Sequence, residues 1–305
     1  MKDVGTDVIQ SRPVDSPTRF GYRVAGNVQK PFGLLLFATE PQFIKRAVAA
    51  GVDGVIVDCE YLGKEARQAG ADTEINHHTF ADVRRVRACT SARVLCRINR
   101  YGDITAGEVE QAIAAGADEI LLPMVQTAAE VECVLGQVGG RCGVGILVET
   151  LPALSILEEL GRLPLSRVYL GLNDLGIARK TPNIFTAVAD GTLEYVRRHF
   201  RVPFGFGGVT LPERGYPIPC QLLMGELSRL NCSFTFLRRS FWNDTHGRDL
   251  NVEVLRIRAA LHAADQRPAA LVARDRVALY EAITAWQPGS ASRGPGKSAD
   301  MLSRS

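Results

Sequence analysis

The chain has 305 residues, 46% of them hydrophobic, and carries 36 basic against 33 acidic residues for a net charge of +3. That is enough apolar material for one large core, and charges of both signs are interspersed, so the pattern predicts neither a nucleic-acid nor a membrane partner. No apolar run is of bilayer-spanning length, and the seven cysteines are scattered without a C-x-x-C pair; the expectation is a cytoplasmic protein with free thiols that acts on a small molecule.

Residues 1–30 are polar and punctuated by Pro13 and Pro17, and are predicted to be an N-terminal arm. From residue 31 a strand-then-helix rhythm begins. Gly33–Ala38 (GLLLFA) is a strand, and Pro41–Ala50 has helical spacing, with Pro41 at a first-turn position where its missing N–H costs nothing. The unit recurs: Gly54–Asp58 with a helix from Thr79 to about Ala88, Arg93–Ile98 with Thr105–Ala115, and Glu119–Met124 with a helix from Thr127. Val144–Glu149 is followed by Leu151–Leu163, and Val168–Leu172 by Ile184–Phe200. Phe204–Leu211 and Ser233–Leu237 are the last strands, with Pro219–Leu230 helical between them and Leu250–Ala264 after.

These strands are continuous apolar runs, the mark of strands covered on both faces, as in a parallel sheet. Eight such units predict an α/β fold, a (β/α)8 TIM barrel, and the first strand leads into Thr39-Glu40-Pro41 without the glycine-rich turn of a doubly wound sheet. The barrel is assigned to residues 31–287, including an extra C-terminal helix from Ala269 to Trp286. Residues 288–305, rich in Gly, Ser and Pro, are predicted to be a disordered tail.

Barrel enzymes place their chemistry at the C-terminal ends of strands. There the chain carries Asp58, Glu60 and Tyr61 after the second strand, Arg97 and Asn99 on the third, Glu149 after the fifth, Asn173 and Asp174 after the sixth, and Arg238 and Arg239 after the eighth. Glu149 and Asp174 lie one βα unit apart, and two carboxylates in oxygen-rich surroundings suit Mg²⁺ or Mn²⁺, with Co²⁺ a further candidate. Equally, each acid could cap the next helix or pair with Arg97. Arg97 in turn either faces a metal-held oxygen or forms a salt bridge to Glu60 or Asp58. Arg238 and Arg239 could meet an acidic or phosphorylated substrate tail, or serve as rim salt bridges.

Five stretches in order, GVDGVIVDCE (51–60), CRIN (96–99), AGADEILLPMV (115–125), LVET (147–150) and GLNDL (171–175), resemble the HpcH/HpaI aldolase and citrate-lyase beta family. The resemblance spans roughly residues 32–265. It implies a divalent metal on Glu149 and Asp174, an enolate oxygen stabilised by Arg97, and a substrate carboxylate received by the backbone around Leu172 and Asn173. The implied reaction is reversible aldol cleavage of a 2-oxo-4-hydroxy acid to pyruvate and an aldehyde through a metal-bound enolate. An acyl-CoA thioester lyase, or a catalytically impaired barrel used for binding, are the alternatives. A homo-oligomer, trimer or hexamer, is implied as well.

Two positions depart from the aldolase pattern. The family's histidine base after the acid matched by Glu60 is Tyr61 here, and an ordinary tyrosine, with a pKa near 10, is a poor base at neutral pH. Glu60 itself, a metal-held water, or His77 and His78 are the candidate replacements; the two histidines follow a long segment, 62–76, that could fold over the mouth, or else simply enter the next helix. Leu147 stands where the aldolases carry a glutamine.

Overall fold

The computed structural model describes residues 32–64 and 78–286. The predicted arm 1–30, the tail 288–305, His77 and most of the long 62–76 segment lie outside the described residues.

Eight parallel strands follow one another around a nearly closed barrel: β1 (Gly33–Phe37), β2 (Gly54–Asp58), β3 (Arg93–Arg97), β4 (Glu119–Leu122), β5 (Gly143–Val148), β6 (Arg167–Leu170), β7 (Phe204–Phe206) and β8 (Phe234–Phe236). Each pairs with its sequence neighbour from β1 to β7, and β8 pairs back onto β1. Between β7 and β8 the closure is a single parallel bridge, Val209 to Leu237. The predicted (β/α)8 barrel is therefore the architecture observed.

Helices sit between the strands: α1 (Pro41–Ala49), α2 (Phe80–Cys89), α3 (Thr105–Ala114) and α4 (Ala128–Val138). Each begins where the local sequence supplies a cap or a short polar turn. Glu40 accepts from the amides of Gln42 and Phe43 ahead of Pro41, and Thr79 with Asp82 and Thr127 with Glu130 form capping boxes. Later come α5 (Leu151–Ser155), α6 (Leu157–Leu160), α7 (Leu172–Ala178), α8 (Thr186–Ala189), α9 (Thr192–Arg197), α10 (Cys220–Arg229), α11 (Ser240–Asp244), α12 (Leu250–Asp265) and the extra α13 (Ala269–Ala285). None of the described helices is long and apolar enough to cross a membrane.

Four details differ from the pattern read in the sequence. The single helix predicted over Leu151–Leu163 is two, because Ile156 at φ −119°, ψ 22° interrupts it. The one predicted over Ile184–Phe200 is likewise split, at Gly191, whose φ of +85° no helix can hold. The sixth strand stops at Leu170, so Asn173 and Asp174 are not on a strand end but in the first turn of α7. The seventh strand is only three residues long, since Gly207 at φ +63° turns the chain out of the sheet.

Most apolar burial lies between the sheet and its helices. A smaller inner cluster fills the barrel: Leu35, Ile56, Leu95, Leu121, Leu147, Tyr169, Phe234 and Phe236. These positions alternate with the outward ones along each strand, as a barrel requires. Below the cluster, at the N-terminal pole, Arg167 donates to both Glu119 oxygens, with Nη2 to Oε2 at 2.7 Å. Gly145 leaves the space for that pair, since a Cβ there would lie 2.8 Å from both partners.

Candidate active site

Continuing the inward alternation one step above the inner cluster brings Asp58, Arg97, Glu149 and Arg238 to the C-terminal mouth, with Glu60 one inward step beyond Asp58. The β2–β3 register pairs Asp58 directly with Arg97. Arg97 answers with a two-pronged bond: Nε to Oδ1 at 2.8 Å and Nη2 to Oδ2 at 2.7 Å. Its Nε also lies 3.6 Å from Glu60 Oε2, and its guanidinium 5.4 Å from the centre of the Phe37 ring. The salt bridge weighed for Arg97 is thus present, chiefly to Asp58. Nη1 makes no hydrogen bond to the described residues and remains for the mouth.

Lys64 is the residue that the sequence did not point to. It is fully buried, with Nζ 2.6 Å from Asp58 Oδ2 and 3.8 Å from Glu60 Oε2. Burial pushes its amine below the usual lysine value, with Arg97 repelling it further, while the Asp58 and Glu60 carboxylates pull the other way. Burial alone would raise Asp58, but Arg97 and Lys64 together hold its carboxyl well below the usual range. A lysine four residues after an acid normally reads as a solvated helix-face pair, so nothing in the pattern marks it as interior.

Asn99 organises the turn that carries Glu60. Its side-chain oxygen accepts from the amides of Tyr61 and Leu62 at 2.9 and 2.7 Å, and its amide nitrogen donates to Glu108 Oε1 at 2.6 Å. Glu108, on α3, is buried, and desolvation raises its carboxyl despite the Asn99 bonds. Glu60 is held inside by this turn, whereas the Tyr61 side chain is 53% exposed on the rim. His78 stands beside Asp82 at the entry of α2, half-buried, next to the capping box. The structure therefore gathers Glu60 with Arg97 and leaves Tyr61 and His78 elsewhere.

Glu149 is buried just past β5. Thr150, not Glu149, caps the following helix, through its hydroxyl to the Ala153 amide. The Glu149 carboxylate is turned inward and accepts from the Met124 amide at 3.0 Å. Met124 takes a left-handed conformation, φ 55°, to aim that amide, which is uncommon for a side-chain-bearing residue and is tolerated where the surroundings enforce it. On the other side Gly171 makes the room: a Cβ there would stand 2.2 Å from Glu149 Oε2. Burial, and then the neighbouring charges of Asp174 and Glu60, push the Glu149 carboxyl up to about 8.

Asp174 occupies the third position of α7, buried, close enough for its charge to act on Glu149. Leu172 and Asn173 precede it in the same turn, where amides have no partner within the helix. Leu147, where the aldolase pattern has an amide side chain, is an apolar member of the inner cluster. In all, four buried carboxylates, Asp58, Glu60, Glu149 and Asp174, share the mouth with three cations among the described residues, the buried Lys64 and the partly buried Arg97 and Arg238. Glu149 and Asp174 offer the hard oxygen donors that a divalent cation takes, while no group of three His, Cys, Asp or Glu side chains placed to hold a metal occurs among the described residues.

The fold and this mouth define a (β/α)8 barrel with a buried acidic pocket at the catalytic pole. Over residues 32–158, from β1 through α6, the chain matches the model of the HpcH/HpaI aldolase/citrate lyase family, so the resemblance read from the motifs holds there. No curated protein matches the chain in sequence. Among solved structures it is similar to the HpcH/HpaI aldolase from Desulfitobacterium hafniense DCB-2, at 15% identity and a TM-score of 0.52, over 79% of this chain and 95% of that one. It is also similar to an HpcH/HpaI aldolase/citrate lyase family protein from Burkholderia cenocepacia J2315, at 13% identity and a TM-score of 0.53, over 77% and 94%. At such identities the likeness is one of fold.

Proposed function

We propose that the protein is a metal-dependent carbon–carbon lyase that cleaves a 2-oxo-4-hydroxy acid reversibly to pyruvate and an aldehyde. The observation that carries this reading is the buried acidic pocket of Glu149, Asp174 and Glu60 beside Arg97, in a chain whose first half matches a family of aldolases and citrate lyases. Glu149 and Asp174 would hold Mg²⁺ or Mn²⁺, which when bound supplies a Lewis acid to draw electrons from C2 of the oxo acid.

The chain's own residues do the rest. Asp58, itself held by Lys64, pins Arg97 so that Nη1 faces the oxygen on which negative charge develops as the C3–C4 bond breaks. The amides of Leu172 and Asn173, at the start of α7, receive the substrate carboxylate. Glu60 accepts the proton of the C4 hydroxyl, because among the described candidate bases it is the one whose carboxylate acts within the pocket, while Tyr61 is half exposed.

Exchange of the methyl protons of pyruvate in deuterated water, followed by proton NMR with added Mg²⁺ or Mn²⁺, tests the reading without knowledge of the aldehyde. Metal-dependent exchange that is lost in Glu149→Gln and in Asp174→Asn is expected. Exchange at full rate after exhaustive chelation would rule the mechanism out.

A further inference from the structure

The inward positions of β8 and its extension are Phe234, Phe236 and then Arg238, which places a guanidinium in the same layer of the mouth as Arg97 and Glu149. Its stem is built in. Nε donates to the Gly208 carbonyl at 2.7 Å, and a Cβ at Gly208 would press to 2.9 Å from the Arg238 Cγ. The Phe185 ring lies 5.9 Å from the guanidinium carbon.

What sets Arg238 apart is its lack of a counter-ion. Arg97 is held by Asp58, Arg167 by Glu119 and Arg229 by Glu226, each within hydrogen-bond distance. Arg238 Nη2 is buried and has no acceptor among the described residues. The carboxylate whose charge reaches it, Asp244, is engaged with the Thr210 hydroxyl instead. A desolvated, unpaired guanidinium is costly to keep and is suited to a ligand that completes it.

The space beside it is also left open. Just past β7, around a Cβ placed at Gly207, there is no atom within 4 Å. Between the two cationic groups stands Tyr169, stacked on Phe236 at 3.7 Å, and the charges of both Arg238 and Arg97 act on its hydroxyl.

We propose that Arg238 is a specificity-determining residue that receives an anionic group, a carboxylate or a phosphate, carried by the aldehyde half of the substrate. The proposal rests on the aldol reading above: the oxo-acid half lies toward Glu149, Asp174 and Arg97, and the acceptor extends past Gly207 toward β8. Two N–H groups on the outer edge of one planar guanidinium match the paired oxygens of such an anion.

The test is the aldol addition of pyruvate to matched acceptors: 4-oxobutanoate against pentanal, and glyceraldehyde 3-phosphate against glyceraldehyde. The wild type should favour at least one anionic acceptor over its neutral counterpart in kcat/KM by about tenfold or more, the scale of charge-assisted hydrogen bonds. Arg238→Met should bring that ratio near unity, with the change in KM, and Arg238→Lys, which keeps the charge without the fork, should retain an intermediate ratio. Which pair shows the effect separates carboxylate from phosphate. A wild type without preference in either pair, or a preference that survives in Arg238→Met, overturns the proposal. Should the wild type fail to exchange pyruvate protons with any metal, the aldol reading falls on its own. Calorimetric binding of 4-oxobutanoate and inorganic phosphate to the wild type and Arg238→Met then decides the role of Arg238, and equal affinities in the two proteins refute it.

Discussion

Gly171→Ala isolates the geometry of the pocket from its chemistry. Gly171 has φ −80° and ψ 93°, a backbone that alanine adopts without strain, so the effect is purely steric. The new Cβ would lie 2.2 Å from Glu149 Oε2, 2.9 Å from its Cβ and 3.2 Å from its Cδ. Ordinary carbon contacts begin near about 3.5 Å, so the carboxylate must retreat by about 1 Å. That movement stretches or breaks the Met124 bond, a hydrogen bond to a charged group worth about 1.5–3 kcal/mol. A displacement of about 1 Å in a catalytic group costs about 100-fold in rate. The expectation is a loss of about 100-fold in pyruvate proton exchange, with a drop in stability of about 1 kcal/mol from the weaker N-cap and up to about 1.5–3 kcal/mol more from the Met124 bond. Thermal melting and NMR exchange on the same sample check both halves. In a Glu149→Gln background the alanine should add little, since both changes act on one carboxylate. Exchange within twofold of wild type in Gly171→Ala would refute the reasoning.

Three further predictions concern charge. Glu149 is pushed up to about 8, so in the metal-free protein the folded state retains a proton that the unfolded state has lost, and stability falls as pH rises from the ordinary glutamate range toward 8. A divalent cation replaces that proton, and the rise in melting temperature on adding Mn²⁺ should therefore be larger at pH 9 than at pH 6 and should vanish in Glu149→Gln; a rise independent of pH would count against it. Asp58 is the opposite case. Its lowered pKa contributes stability above the ordinary aspartate value of about 3.9, lost as pH falls below it. Asp58→Asn, which strands Lys64 and Arg97, should cost about 3–5 kcal/mol in urea unfolding at pH 7, and the gap to wild type should narrow under acid conditions. At the far pole, Glu119→Gln breaks the buried pair with Arg167 and should destabilise by a similar amount, about 3–5 kcal/mol, while pyruvate exchange per folded molecule stays at the wild-type rate.

The barrel was legible because its signal is long-range and redundant: each apolar run followed by a capped amphipathic segment says the same thing, and Thr79, Thr127 and Pro41 mark their helix starts by side-chain chemistry alone. The breaks were not, since Ile156 and Gly191 interrupt helices whose apolar period runs on across them. At the mouth, the acids were visible as apolar strands ending in carboxylates, and parallel register made Asp58 and Arg97 neighbours. Lys64 was hidden because a fully buried amine looks in sequence like any solvated lysine. Met124 and Gly171 were hidden for another reason. They act through a backbone amide and an absent side chain, neither of which residue type announces. In GLND the glycine beside the acid was the available clue.

The two poles of the barrel treat charge differently, and the difference locates the function. At the N-terminal pole Glu119 accepts from Arg167 and Ser166, and from Arg93 at 3.4 Å, so its carboxylate is fully partnered within the fold. At the C-terminal pole Asp58, Glu60, Glu149 and Asp174 gather around β2, β5 and α7, while Arg238 Nη2, just past β8, has no hydrogen-bond acceptor among the described residues. Unbalanced charge of both signs at one pole would ordinarily be resolved by the two sets meeting. On β7 the one inward residue is Gly205, which carries no side chain, and past it the chain turns away at Gly207. On the reading proposed above, a substrate with an oxygen-rich end toward Glu149 and Asp174 and an anionic end at Arg238 would complete both sets at once, and one of the opposite polarity would complete neither.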